Sequence, residues 1–267
     1  MHPIERLRWI ARSEGEEDSA VAAEAAWSLA ELAVEEPAAV LTAGRRLVLR
    51  QPSCGPLWWA CANIIEALGG EDILEVAHRV ALELAGESVS VRLAAALRRE
   101  VASGEALAVT PPVGTTGRAL EAGRYAVRLL APYRELRYEM ARFGSADVTG
   151  FELEESQEAL EGCRLLLVEP RFASSERLFV SAAAARAVRA AHRVEVVCWA
   201  VLGPGRLLSE PLAVAAGQLV RGESEELAAS SFAAAVDSEG LAPPTEALGR
   251  SSCPAAAELA HLSGLAP

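Results

Sequence analysis

Two periodicities divide the chain. Up to about residue 103 apolar positions return every three or four residues; beyond Gly104 they gather into short runs separated by helical stretches. Ile4, Leu7 and Ile10 fall near one face of a helix opened by Pro3, with arginines on the other face. A second helix is predicted from Asp18, which can cap it, through Val34, with Trp27 and Leu29 inside an alanine-rich band. Pro37 opens a third, carrying Val40, Leu41, Leu47 and Val48, and Gln51-Pro52-Ser53 breaks it. Pro56 opens LWWACANIIEAL, apolar on nearly every side and closed by Gly69-Gly70. A helix of that kind must be buried, within the fold or in a subunit contact. Trp58 and Trp59 are about 100° apart around it and cannot share a face. One is expected to pack internally and the other to meet another lobe or subunit. Two more helices are predicted, from about Glu71 to Leu84 and from Ser90 to about Ala102.

The second half alternates. AVT (108–110), YAVRLLA (125–131), DVTGF (147–151), RLLLVEP (164–170) and VEVVCWAVL (194–202, the longest) read as strands. Helical stretches separate them at Thr116–Ala122, Arg134–Phe143, Leu153–Leu160 and Ala182–His192. Such alternation predicts a parallel sheet with helices on both faces, and RLLLVEP has the unbroken apolar character of a central strand. From Gly222 the chain turns polar, and SSCPAAAELAHLSGLAP is expected to pack a short helix. The fold class is therefore α/β, with a helical N-terminal domain over 1–103 and a doubly wound α/β domain with a polar C-terminal tail over 104–267.

Composition narrows the function. The net charge is −12, and all 25 basic residues are arginine. With no basic stripe, the chain is expected to bind neither nucleic acid nor an anionic membrane. Five scattered cysteines without CxxC spacing and four histidines without HxxxH pairing predict no metal site. The amphipathic, charged start has no signal-peptide core, and no run reaches the ~20 apolar residues of a membrane span. A cytoplasmic setting with reduced thiols is expected.

Several segments, in order, carry a family likeness. TAGRRLVLRQPSCGPLWWACANII (42–65) has a helix pair joined by a P-[ST]-x-x-P-L turn; AVTPPVGTTGRAL (108–120) is a strand-to-helix loop rich in Thr; YAVRLLAPYRELRYEMARF (125–143) follows. The DVTGF, RLLLVEPRF and AARAVRAAHRVEVVCWAV segments continue the pattern. The chain thereby resembles, over about residues 20–205, a superfamily with two branches. One holds the alpha, beta and delta regulatory subunits of the translation-initiation guanine-nucleotide exchange factor. The other holds the methylthioribose-1-phosphate and ribose-1,5-bisphosphate isomerases. The resemblance implies a Rossmann-like lobe of the ribose-phosphate isomerase and CoA-transferase kind, and a homodimer. It also implies where catalysis should sit. The isomerases resembled carry a cysteine in the loop after the first strand and an aspartate after the RLLLVEP-type strand, and here those positions hold Pro112 and Arg171. Neither can perform the proton transfer. The family's phosphate-holding Lys-x-Gly-Thr corresponds to Ser181-Ala182-Ala183-Ala184. No catalytic residue and no cofactor is expected.

What remains is a candidate binding site. Gly114, Thr115 and Thr116 open a helix whose amides could hold an anion, or be satisfied by simple capping. Arg134, Arg171 and Arg177 could supply guanidinium forks at the strand ends, unless paired with Glu135, Glu169 or Glu176. Glu169 reads as an acid/base group or, more plainly, as a surface carboxylate in a salt bridge. The proposed ligand-binding set is Gly114, Thr115, Thr116, Arg134, Glu169 and Arg171. Gly203-Pro204-Gly205-Arg206 reads as a turn on the ligand side of the sheet. Cys198 reads as a small core residue; Cys163 precedes a strand and reads as inert, unless the adjacent Arg164 lowers its pKa; and Cys54 lies in a turn without a base. Three functions are open: a non-catalytic dimeric scaffold with a residual sugar-phosphate or nucleotide pocket and a protein partner; an aldose–ketose phosphate isomerase with relocated groups, Glu169 with Thr115 or Cys163; or an assembly protein without a small-molecule ligand.

Overall fold

A computed structural model of the chain describes residues 2–13, 17–121, 123–143 and 147–261, apart from the side chains of Arg137 and Arg142. Six helices come first: α1 (Pro3–Ile10), α2 (Asp18–Glu35), α3 (Pro37–Arg50), α4 (Gly55–Ala67), α5 (Ile73–Ala85) and α6 (Ser88–Glu100). Prolines open α1, α3 and α4 where a missing N–H costs nothing, and the Asp72 carboxylate caps α5 through Leu74 and Glu75. α4 is buried on nearly every side, as its composition requires, with Glu66 exposed and Asn63 half-buried. Trp58 is fully enclosed and donates its indole N–H to the Pro52 carbonyl at 3.0 Å. Trp59 faces the loops of the second half, among Val89, Leu202 and Pro204.

The rest alternates as expected: β1 (Ala106–Thr110), α7 (Gly114–Glu121), β2 (Ala126–Leu130), α8 (Tyr133–Met140), β3 (Asp147–Phe151), α9 (Ser156–Leu160), β4 (Cys163–Val168), β5 (Phe172–Ala173), β6 (Arg177–Ser181), α10 (Ala182–Arg193) and β7 (Val197–Val201). Then come α11 (Glu210–Leu219), β8 (Ser224–Ala228), β9 (Ala234–Val236), β10 (Leu241–Ala242), α12 (Pro244–Leu248) and α13 (Ala257–Ala260). The main sheet has the order β10-β9-β7-β4-β1-β2-β3, parallel except for β10. The chain winds outward from β1 through β2 to β3, then restarts at β4 and winds the other way. The reversal between β1 and β4 is where ligands gather in such sheets.

Alternate side chains of the central strands feed two cores. Leu107, Val109, Leu165 and Leu167 meet α6 and α7, while Ala108, Leu166 and Val168 meet α9 and α10. The helices α1–α5 form a third core, joined by α11 and α13 from the far end of the chain. A small antiparallel sheet, β5-β6-β8, bridges them: Phe172 and Phe179 stack at 4.6 Å within the helical core, while Ala173 and Leu178 face the sheet core.

Two expectations need correction. VEVVCWAVL is not the longest strand, because β7 starts only at Val197 after Glu195 adopts φ 58, and β4 is longer. The small sheet and the ordered region beyond Gly222, with β8 pairing to β6 and β9 extending the main sheet, were not legible as strands. β8 is mostly polar and only half-buried, so its place is fixed by its partner rather than its own pattern. Among the described residues no helix is long and apolar enough to cross a membrane.

Candidate functional site

Three loops leave the carboxyl ends of β1, β4 and β7 and converge at the switch point. The first turns through Pro111 and Pro112 into α7. Glu169 begins the second, directly after β4. The third is Leu202–Arg206, where the turn geometry depends on its glycines. Gly205 sits at φ 70 with its missing Cβ facing Pro56 Cα at 2.9 Å, and a Cβ on Gly203 would stand 2.6 Å from Thr115 Oγ1. From the helical half, the start of α2 and Pro56 of α4 close the opposite side. Between them lies a cleft of ≈ 210 Å³.

Glu169 is the centre of this arrangement, and it is buried (2 % exposed) rather than on the surface. Its Oε2 accepts the Thr115 amide at 3.1 Å, the Thr116 amide at 3.3 Å and the Thr116 hydroxyl at 3.3 Å. These are the free donors of the α7 N-terminus, where a negative charge is also favoured by the helix dipole. Its Oε1 accepts Arg206 Nε at 3.1 Å. The partner of Glu169 is thus Arg206, not the neighbouring Arg171. Arg206 is itself 5 % exposed and spends its other donors on the Pro170 carbonyl (2.9 Å), the Arg171 carbonyl (3.1 Å) and Asp18 Oδ2 (3.2 Å). Burial works against its charge, but Glu169 and Asp18 outweigh that penalty and raise the guanidinium pKa above its ordinary value. One side chain thereby fastens α2, the end of β4 and the β7 loop together. Asp18 stands at the start of α2 with its carboxylate turned outward to this bond.

The cleft is acidic. Glu17, Asp18, Glu139 and Glu169 line it, with Arg206 the one guanidinium among the described lining residues. Glu17 also pairs with Arg118 of α7 at 2.6 Å. Gly114, Thr115, Thr116 and Glu169 of the expected set come together here. Arg134 is exposed on α8, and Arg171 contributes its backbone carbonyl; neither side chain lines the cleft. Arg177, the third candidate fork, is on β6 and pairs with Glu210 and Glu226. Pro112 does line the cleft and brings no thiol to it.

Cys163 begins β4 and Glu169 follows its end, so the two stand ~20 Å apart along the strand. Burial pushes the Cys163 thiol up, with Arg128 only partly opposing it. Burial also raises Cys54 well above the usual thiol range and Cys61 and Cys198 to about 12. None is poised as a nucleophile. Among the described residues no group of three or more His, Cys, Asp or Glu side chains is placed to hold a metal ion.

Sequence reasoning missed Arg206 as a site residue. The signal that could have raised it was its position after the last long strand, on the ligand side. Asp18 was legible only as a helix start.

No family model and no curated protein matches the chain. Solved structures do. The tetrameric eIF2B-beta2-delta2 complex of C. thermophilum supplies a match at TM-score 0.69 with 14 % identity, covering 92 % of this chain and 93 % of that one. The fold is that of the eIF2B subunits. The eIF-2B of Pyrococcus horikoshii OT3 also matches at 0.69, with 15 % identity over 92 % of this chain and 98 % of that one. The 5-methylthioribose 1-phosphate isomerase of the same organism matches at 0.64, with 13 % identity over 93 % and 86 %. The expected α/β fold is thereby shown, with eIF2B subunits and a methylthioribose-1-phosphate isomerase both among its structural neighbours.

Proposed function

We propose that this chain is a non-catalytic, eIF2B-like scaffold that works as an oligomer through protein contacts, with its ancestral phosphate cleft closed from inside. The observation that carries this reading is Glu169. The helix N-terminus suited to a sugar phosphate or nucleotide already holds a carboxylate of the chain, locked by Arg206. The remaining acidic lining, from Glu17, Asp18 and Glu139, repels a second anion. An isomerase with relocated groups needs a carboxylate free to move a proton, whereas both oxygens of Glu169 are engaged. Of the two partners that reading names, Cys163 stands at the other end of the strand, and Thr115 meets Glu169 through its backbone amide. The tetrameric assembly of one neighbour supports an oligomeric role.

Thermal unfolding with phosphosugars and nucleoside phosphates tests the reading. A bound ligand at a hundredfold excess over its Kd adds roughly 2.7 kcal/mol. The expected result is no shift with any of them, and a sedimentation mass of at least a dimer. A saturable shift would overturn the closed cleft, and a monomer at all concentrations would overturn the oligomer. Proton exchange at the second carbon of a bound aldose phosphate in deuterated water would reinstate the isomerase.

A further inference from the structure

The strongest feature outside the cleft lies on the helical half, between α1 and α3. A groove of ≈ 890 Å³ runs there, its apolar floor formed by the half-buried Ile4 and Ala11 on the α1 side and Ala39, Ala43 and Leu49 of α3, with the buried Leu7, Leu32 and Leu47 beneath them. Its banks are basic. Arg8 and Arg12 stand four residues apart along and just beyond α1, and Arg46 and Arg50 stand four apart on α3. Arg8 bonds Glu5 at 2.5 Å, but Arg12, Arg46 and Arg50 make no ion pair or side-chain hydrogen bond among the described residues. All four are exposed.

This is a local inversion of the chain's character. Acidic residues outnumber arginines by 37 to 25 overall, and elsewhere arginines such as Arg6, Arg177, Arg189 and Arg250 find carboxylates. Favourable helix dipoles account for cations in the last turns of α1 and α3. They do not account for unpaired arginines on both banks facing one apolar trough. Like charges four apart on a helix repel, so the Arg46–Arg50 pair is carried at some cost to the isolated chain. One end of the groove is fixed, since Gln51 donates from Nε2 to the Ile10 carbonyl at 2.5 Å and holds α3 to the end of α1. From Ala39 to Arg50 the α3 bank is ~17 Å long, three turns of helix.

We propose that this groove docks an acidic amphipathic helix of a partner protein, its apolar stripe on Ile4, Ala11, Ala43 and Leu49 and its carboxylates between the two arginine pairs. An apolar stripe of three turns fits the length, and flanking carboxylates answer the four guanidiniums, which form bidentate pairs with them. A nucleic acid would leave the apolar floor unused. The inference rests on the scaffold reading only in that a scaffold needs a partner surface. The groove and the cleft are separate sites, so the two fail separately: a phosphosugar shift would leave the groove untouched, and a failure of docking would leave the closed cleft intact.

The test uses the full chain and a fluorescent helical peptide of about 14 residues, with leucines at i, i+3, i+4 and i+7 and glutamates beside them. Two controls replace every glutamate by lysine, or scramble the order at fixed composition. Anisotropy should show saturable binding of the glutamate peptide alone. It should weaken from about 50 mM to about 300 mM salt, as exposed charge pairs do. The triple variant Arg12→Glu, Arg46→Glu, Arg50→Glu should lose at least about tenfold in affinity. Ala43→Glu, which puts a charge on the floor, should also lose binding. Equal binding by the lysine or scrambled peptide, unchanged affinity in the triple variant, or no binding of the glutamate peptide would overturn the proposal. So would loss of self-association in the triple variant, which would give the groove to a second copy, or sedimentation with anionic vesicles that the variant abolishes. A thermal melt of each variant checks that the charges were changed on a folded chain.

Discussion

Removing the Glu169 carboxylate should cost more than any exposed ion pair in this molecule. Glu169→Ala leaves Arg206 charged with one partner lost, and its side chain is 6 % exposed. Breaking a buried pair from one side costs about 3–5 kcal/mol. Glu169→Gln is more telling, because the two oxygens have different tasks: Oε2 serves the α7 N-terminus and Oε1 serves Arg206. A glutamine has one acceptor, so either the helix end or the guanidinium faces an amide N–H₂, and about 2–3 kcal/mol should go with a charged hydrogen bond. Unfolding entropy scales at about 2.1 cal/mol/K per residue. Over 267 residues the alanine variant should therefore melt roughly 5–9 °C below the wild type. The alanine variant also opens the anion site, so acetate or phosphate at about 100 mM should restore part of the loss relative to chloride at equal ionic strength. Wild type should gain nothing beyond the chloride control. Differential scanning fluorimetry reads both effects. A loss under about 1 kcal/mol in Glu169→Ala, or equal stabilisation of wild type by phosphate, refutes the reasoning, because the α7 amides would then be open to ligands.

Trp58→Phe takes the indole donor from the half-buried Pro52 carbonyl and should cost about 1–3 kcal/mol in urea unfolding, whereas an unchanged midpoint would mean that water or another donor replaces the indole. Gly205→Ala meets both a positive φ and Pro56, and should lose about 1–3 kcal/mol by the same assay. The thiols predict an alkaline limit: Cys61 is held up at about 12 by burial against about 8.5 in an unfolded chain, so its contribution is whole below pH ~8.5 and drains as pH rises toward 12. Stability measured between about pH 9 and 10.5 should fall by roughly 1.4 kcal/mol per pH unit from this thiol, and Cys61→Ala should flatten the slope by that much. A thiol reagent at neutral pH should leave Cys54, Cys61, Cys163 and Cys198 unmodified until the chain is unfolded; prompt labelling of any of them would contradict its burial.

What could be read in advance follows from where the ordering information sits. The helices α1, α3 and α4 were legible because their starts are written locally, in Pro3, Pro37 and Pro56, and α2 and α5 because their faces repeat with the helical period. The central strands were legible because burial on both faces leaves an apolar run. β5 and β8 were not: one is two residues long, the other mostly polar, and both exist because β6 pairs with them. The candidate site divides in the same way. Gly114, Thr115, Thr116 and Glu169 stand at strand ends, a position the alternation alone supplies. The Arg206–Asp18 bond spans 188 positions of sequence, and no local pattern announces it. Glu169 was misread as a surface group because a strand-end carboxylate beside an arginine has that meaning in isolation; its burial comes from the helical half closing over it.

The same helix-end physics serves opposite functions depending on whose carboxylate or phosphate supplies the charge. A free phosphate pays its translational freedom to reach the α7 amides, while Glu169 is tethered and already oriented by Arg206. To bind, the phosphate must also expel that carboxylate and leave a buried guanidinium short of a partner. At about 3–5 kcal/mol, that displacement weakens the affinity by a factor of about 10² to 10⁴, enough to turn a micromolar site into one of about 0.1 to 10 mM. Internal capture of the helix terminus therefore accomplishes what deleting the loop would, while keeping the fold that holds the two halves together. Under the scaffold reading proposed above, function falls to the surface, where the α1–α3 groove presents unpaired arginines.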